Sequence, residues 1–139
     1  MNRYKFDELK IGHKEEFSVL ITEDMMKSFC EICGDTNPLH IDEKYAKSAG
    51  YPSRVVYGML VSSFYSTLAG VHLPGEHCLL QEILIKFSNP VYPGDTLKIS
   101  GEIIERTDAY KRIEIKAKIF NQHGKTVSSA KIKAGVRDE

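Results

Sequence analysis

Residues 58–70 read Gly58-Met59-Leu60-Val61-Ser62-Ser63-Phe64-Tyr65-Ser66-Thr67-Leu68-Ala69-Gly70, with no charged side chain among them. A helix on the surface of a globular protein carries charges on its wet face. A helix that is apolar on most sides of its wheel, with only Ser62, Ser63, Ser66 and Thr67 as polar groups, belongs inside. The stretch therefore predicts a buried helix. After it the period changes. Ile83, Ile85 and Phe87 alternate with Leu84, Lys86 and Ser88, and Leu97, Ile99, Gly101 and Ile103 with Lys98, Ser100 and Glu102. Ile113, Ile115, Ala117 and Ile119 alternate in the same way with Arg112, Glu114, Lys116 and Lys118. Alternation at period two marks half-exposed strands. Pro93-Gly94-Asp95 turns the chain, and Asn121-Gln122-His123-Gly124 turns it again before a less regular last strand through Val127, Ala130, Ile132 and Ala134. An antiparallel sheet with one solvated face must cover its apolar face, and the helix at 58–70 is the cover. The expected class is α+β, a sheet wrapped around a central helix.

Upstream of that helix, Glu15, Phe17, Val19 and Ile21 lean towards alternation. Thr22 is placed to cap a short helix with Glu23 and Asp24 in its first turn, where carboxylates suit the helix dipole. Met25, Phe29, Ile32 and Cys33 recur at helical spacing, and Gly34 suits a left-handed stop. A polar loop follows over 35–40, then a short stretch over 42–49 that Gly50 and Pro52 close.

The chain of 139 residues is the size of one ordinary domain, expected over 1–139. Its 19 Lys plus Arg cancel 19 Asp plus Glu, so no positive field favours nucleic acid. The opening MNRYKFDELK lacks the apolar core of a secretory signal, and no run approaches the roughly 20 apolar residues of a membrane span. Cys30, Cys33 and Cys78 are too few, and odd in number, for a disulfide framework. A cytoplasmic location with no membrane or nucleic-acid partner is the expectation.

Chemistry concentrates in Gly34-Asp35-Thr36-Asn37-Pro38-Leu39-His40. A carboxylate and an imidazole on a Pro-stiffened turn can share one water and exchange its protons, which is general acid and base work. Equally, Asp35 can cap the next turn and His40 can be a satisfied, partly buried histidine. Cys30 and Cys33 form a C-x-x-C at the C-terminal pole of their helix, the wrong end to depress a thiol pKa, and no second ligand pair completes a zinc site. Small core residues are the expectation for both. Ser62, Ser63 and Ser66 are expected to bond back to the carbonyl four residues earlier, and no G-x-S-x-G elbow is present. Gly58 opens the apolar helix, where unpaired N–H groups can hold a developing oxyanion. Arg54, Lys86 and Lys98 could each meet a phosphate, but a solvated face explains them as well.

The run Phe29-Cys30-Glu31-Ile32-Cys33-Gly34-Asp35-Thr36-Asn37-Pro38-Leu39-His40, with Ala46 after it, resembles the signature of the MaoC-like or hydratase 2 family, the (R)-specific enoyl-CoA hydratases. Val55-Val56-Tyr57-Gly58-Met59-Leu60, Lys86-Phe87-Ser88-Asn89-Pro90-Val91 and Pro93-Gly94-Asp95 continue the likeness in order and spacing. The resemblance implies a single hot-dog fold, a curved antiparallel sheet around a long central helix, assembled as a homodimer or a dimer of dimers. It implies that Asp35 and His40 are catalytic, holding the water that adds to a trans-2-enoyl thioester to give the (R)-3-hydroxyacyl product, or running the reverse dehydration. Which of the two moves each proton stays open. Asn37 would orient the loop, Gly58 N–H would polarise the thioester carbonyl, and Ser66 would lie near the carboxylate. Tyr57, Gly58 and Met59 stand where many relatives have His-Gly-Met, and with Asn37 and Ser66 they are the expected substrate-binding residues. No metal or cofactor is implied. The substrate is an acyl thioester of CoA or of acyl carrier protein, and a lone hot-dog unit points to short or medium acyl chains. The alternatives are an acyl-CoA thioesterase on the same fold, working through a differently placed carboxylate, and a non-catalytic subunit that binds acyl thioesters.

Overall fold

The alternating segments become one five-stranded antiparallel sheet in a computed structural model that describes residues 1–137; Asp138 and Glu139, at the end of the expected 1–139 domain, lie outside the described residues. The strands are β1 (Lys14–Leu20), β2 (Cys78–Phe87), β3 (Thr96–Thr107), β4 (Arg112–Phe120) and β5 (Thr126–Val136). Their order across the sheet is β1-β3-β4-β5-β2, so the first two strands in sequence occupy the two edges. The Pro93-Gly94-Asp95 turn therefore closes no hairpin between β2 and β3. It pairs instead with the exit of β1, where Gly94 N–H donates to the Ile21 carbonyl at 2.8 Å and Ile21 N–H to that of Asp95 at 2.9 Å. Period two holds in β3, β4 and β5, where Ile99, Ile103, Ile113, Ile115, Ile119 and Ile132 are fully buried while Lys98, Lys116, Lys118 and Lys131 are exposed. In β2 it weakens, with Ile83 and Ile85 half-buried and Phe87 exposed, because that strand lies at the edge.

The central helix, α4, runs Gly58–Thr67 and opens into a wider π-type turn over Leu68–His72. Leu60, Val61, Ser62, Tyr65, Leu68 and Ala69 press into the sheet. The expectation that the helix is buried on most sides needs correction, because Met59, Ser63 and Ser66 are exposed on its opposite face. The sheet of one chain curves around one side of the helix only. Two of its three serines do bond back to the backbone, but three residues earlier: Ser62 Oγ to the Met59 carbonyl at 3.0 Å and Ser63 Oγ to that of Leu60 at 2.6 Å. Gly101 of β3 lets the helix end lie close. A Cβ there would sit 2.8 Å from Leu68 Cδ2 and 3.0 Å from Ile115 Cγ2, inside van der Waals contact. With its central helix lying in the curve of this sheet, the chain has the hot-dog architecture.

Between β1 and α4 lie three helices. The first, α1 (Glu23–Cys33), is capped by Thr22, whose Oγ1 accepts the Met25 N–H at 3.1 Å, and Gly34 ends it at φ 73°. Residues 35–40, expected as loop, contain the start of a helical turn, α2 (Pro38–Ile41), with Pro38 at the first helical position, where a missing N–H costs nothing. The last, α3 (Glu43–Ser48), is capped by Asp42, whose Oδ1 accepts the Tyr45 N–H at 3.1 Å. Among the described residues no helix is long and apolar enough to cross a membrane.

One buried polar contact ties helix to sheet. Tyr65 O–H donates to Ser128 Oγ at 2.9 Å, and Ser128 in turn donates to the Lys86 carbonyl at 2.8 Å. Burial pushes the Tyr65 hydroxyl up to about 12, against a partial lowering by Ser128. The folded pKa is raised, so this contribution is whole below about pH 10 and is lost as pH rises towards 12. Tyr65→Phe is expected to cost about 1 kcal/mol at pH 7 and to flatten the alkaline fall in stability. Urea unfolding at pH 7 and pH 11 checks both; an unchanged alkaline slope would refute the assignment.

Candidate active site

Three segments meet at the start of α4: the C-terminal end of α1, the turn that follows it, and the end of β2. Asp35 uses its two oxygens differently. Oδ1 accepts the Asn37 N–H at 3.1 Å, and Asn37 Oδ1 accepts the Leu39 N–H at 3.0 Å, so two successive side-chain-to-backbone bonds shape the turn. Oδ2 faces His40 Nε2 at 3.9 Å. The capping role and the paired role read from the sequence thus coexist on one carboxylate. His40 is seated from the other side, with Nδ1 2.7 Å from the Val55 carbonyl. A carbonyl only accepts, so Nδ1 carries a proton, and whenever the ring is neutral the lone pair of Nε2 faces Asp35. The imidazole is 15% exposed and the carboxylate 48%, an inner imidazole beside an outer carboxylate reachable from solvent.

Tyr57, 2% exposed, completes the inner wall. Its ring lies 4.2 Å from the His40 ring at 31° and 5.0 Å from Phe29, and its O–H donates to the Asp35 backbone carbonyl at 2.8 Å. Cys30 Sγ–H reaches the same carbonyl at 3.6 Å. Burial first, and then the neighbouring Cys30, hold the Tyr57 hydroxyl well above the ordinary tyrosine range, so it remains a donor.

A cavity of about 330 Å³ opens over these groups, bordered by Asp35, His40, Tyr57, Gly58, Met59 and Phe87. A second lobe of about 310 Å³ shares His40, Gly58 and Phe87 with it and is walled by Val55, Val56, Val61, Pro90, Val91 and Val127. Gly58 sits at the junction as the first residue of α4, so its N–H is one of those with no acceptor inside the helix. A Cβ on Gly58 would lie 3.2 Å from Phe87 Cε1 and crowd the ring that borders both lobes. A lobe that carries a carboxylate and an imidazole, next to one walled largely by valines, suits a reacting head on a hydrocarbon tail.

Residues 8–124 match the protein family described as MaoC like domain. The chain belongs to the MaoC-like family. Among curated proteins it is similar to the mitochondrial 3-hydroxyacyl-[acyl-carrier-protein] dehydratase of Arabidopsis thaliana, at 31% identity over 86% of this chain and 72% of that protein. It is also similar to the (R)-specific enoyl-CoA hydratase of Rhodospirillum rubrum, at 34% identity over 66% of this chain and 64% of that protein. Among solved structures it is similar to the unliganded R-hydratase PhaJ1 of Pseudomonas aeruginosa, with a TM-score of 0.91, 30% identity, and coverage of 97% of this chain and 86% of that one. With such relatives the MaoC-like chain is a hydro-lyase of the hydratase and dehydratase kind.

Of the residues that the sequence of this MaoC-like chain singled out, Asp35, His40, Tyr57, Gly58 and Met59 converge on the cavity. Asn37 does not line it and acts through the turn instead. Ser66 lies two turns along α4 on the exposed face and lines neither lobe. Cys33, expected in the core, is exposed and borders the cavity because the last residue of α1 faces it; Cys30 is half-buried. Arg54 is paired with Glu23 and Lys98 with Glu16, so two of the three cations considered for a phosphate already hold carboxylates. Sequence reasoning missed Val55, which works through its carbonyl and leaves no side-chain signature, and the valine wall of the second lobe. A hollow of about 630 Å³ on the outer sheet face is lined by Lys14, Glu16, Glu102, Lys116 and Lys118, whose mixed charges resemble a solvated face and not a reaction centre.

Proposed function

We propose that this MaoC-like chain adds water across the C2–C3 double bond of a trans-2-enoyl thioester to give the (R)-3-hydroxyacyl thioester, or runs the reverse dehydration, with Asp35 and His40 sharing the water. The observation that carries this reading is the 3.9 Å approach of Asp35 Oδ2 to Nε2, the nitrogen through which a neutral His40 ring accepts because Nδ1 holds its proton towards the Val55 carbonyl. A water about 2.8 Å from each atom would see the two acceptors at roughly 90°, near its own H–O–H angle. Both protons then point at acceptors and an oxygen lone pair is free for C3. As the C3–O bond forms, one proton of the water passes to the pair and the other stays on the new hydroxyl. The pair then hands the proton it took to C2, so H and OH are added, the pair returns to its starting state and nothing is oxidised or reduced. Negative charge moves onto the thioester oxygen, where Gly58 N–H at the positive end of α4 stabilises it. The valine-walled lobe receives the acyl chain, and its roughly 310 Å³ favours short or medium lengths. The printed names of the relatives include both CoA and carrier-protein thioesters, which supports the thioester class.

Loss of the conjugated enoyl-thioester absorbance on adding crotonyl-CoA, with chiral analysis of the product, tests this reading. Formation of the (R)-3-hydroxy product is the expected result. Flat absorbance with short, medium and branched enoyl-CoAs, together with free-thiol release from a saturated acyl-CoA, would instead mean a thioesterase.

The same reading includes a homodimer. Among the described residues strand β2 pairs only with β5, leaving its outer row of backbone groups unmatched, and Leu79, Leu80, Leu84 and Phe87 are exposed along it beside the exposed Met59. A long apolar edge strand is an aggregation hazard unless something covers it. A second copy pairing β2 to β2 about a two-fold axis covers both edges at once. Sedimentation is expected to give twice the 15.7 kDa chain mass, and a Leu80→Lys, Leu84→Lys double variant the single mass. A monomeric parent chain at micromolar concentration would rule the pairing out.

A further inference from the structure

We propose that Tyr57 is the positioning residue of the acid/base pair, its O–H holding Asp35 by the backbone carbonyl while its ring holds the His40 imidazole in plane. The inference rests on the hydratase reading for its kinetic arm only. A buried phenol must find an acceptor, and this one passes over local backbone to take a carbonyl 22 residues away, at 2.8 Å. The carbonyl belongs to the residue whose carboxylate faces His40. The turn at 34–37 is otherwise shaped by its own short-range bonds, and the Cys30 thiol is the weaker second donor, at 3.6 Å. The ring contact at 4.2 Å and the Val55 carbonyl at 2.7 Å hold the imidazole from two directions. The backbone of Tyr57 contributes too: its carbonyl accepts the Leu60 and Val61 N–H groups, both at 3.1 Å, and so starts the helix whose first residue is Gly58. One residue thus sets the mutual position of carboxylate, imidazole and the carbonyl-polarising N–H, where an error of about 1 Å is enough to cost on the order of 10²-fold in rate.

Tyr57→Phe keeps the ring and removes the hydroxyl; Tyr57→Leu removes both. In Tyr57→Phe, kcat on crotonyl-CoA is expected to fall about 10- to 100-fold with KM within about twofold, the pattern of lost alignment rather than lost binding. Independently of turnover, the Thr36 amide resonance, whose peptide carbonyl is that of Asp35, shifts in Tyr57→Phe, and the His40 ring-proton resonances shift further in Tyr57→Leu as the ring current disappears. An unmoved Thr36 amide, or a raised KM with kcat intact, overturns the proposal and makes Tyr57 merely a cavity wall. Should the parent chain hydrate no enoyl thioester, the hydratase reading falls, and the resonances alone decide whether Tyr57 holds the pair. Should Tyr57→Leu fail to fold, Tyr57→Phe carries the decision.

Discussion

Asp35→Asn is expected to lower kcat for enoyl-thioester hydration by about 10²- to 10⁴-fold, the usual worth of a general acid or base, with little change in KM. Asparagine keeps an oxygen for the Asn37 N–H, so the turn that Asp35 Oδ1 shapes survives. What disappears is the second acceptor, opposite His40 Nε2 at 3.9 Å, because an amide nitrogen donates where the carboxylate oxygen accepted. His40→Ala should lose activity to a similar degree and also destabilise the fold by about 1 kcal/mol, since the Val55 carbonyl loses its donor at 2.7 Å. In the proposed mechanism the two groups act on one water, so the double variant should fall little below the worse single one. Steady-state kinetics on crotonyl-CoA, with thermal unfolding alongside, measures all three. Retention of more than about a tenth of the parent kcat by either single variant would remove the pair from the mechanism.

The second large effect concerns the contact that seats the central helix. Leu68→Ala is expected to cost about 2–5 kcal/mol, because Leu68 is fully buried against the sheet. Gly101→Val forces atoms into the space where even a Cβ would meet Leu68 Cδ2 at 2.8 Å, and should cost about 1–3 kcal/mol. Together they should cost less than the sum, since the alanine empties the space that the valine fills; a coupling of about 0.5–3 kcal/mol is expected for residues in contact. Urea midpoints at one fixed protein concentration give the cycle, concentration being held constant because assembly adds to apparent stability. Additive costs would mean that the helix is seated elsewhere.

Much of this was legible along the chain because the signals are local. Thr22 and Gly34 mark the ends of α1 through bonds and dihedral angles within one turn of helix. Alternation in β3 and β4 needs only that one face be wet. The Asp35 to His40 spacing alone left the capping role open, and the run of resembling residues around it implied the paired role; the structure sets Asp35 Oδ2 3.9 Å from His40 Nε2 while Oδ1 caps the turn. Cys33 and Ser66 were misplaced for a single reason: helical spacing tells which residues share a face, not whether a neighbour covers that face. Val55 was invisible because the group it contributes is a backbone carbonyl common to every residue.

The sequence by itself determined the elements, their period and the composition of the 34–40 turn, since each depends on residues a few positions apart. Only the tertiary structure decided that β2 leaves β3 and pairs with β5, setting Phe87 opposite Ser128 across 41 positions of chain and creating the exposed edge. It alone decided that Val55 meets Nδ1 of His40, which fixes the tautomer, and that Tyr57 reaches back to Asp35. Such pairings depend on how all the apolar faces are buried at once, a property of the whole packed chain that no local pattern encodes.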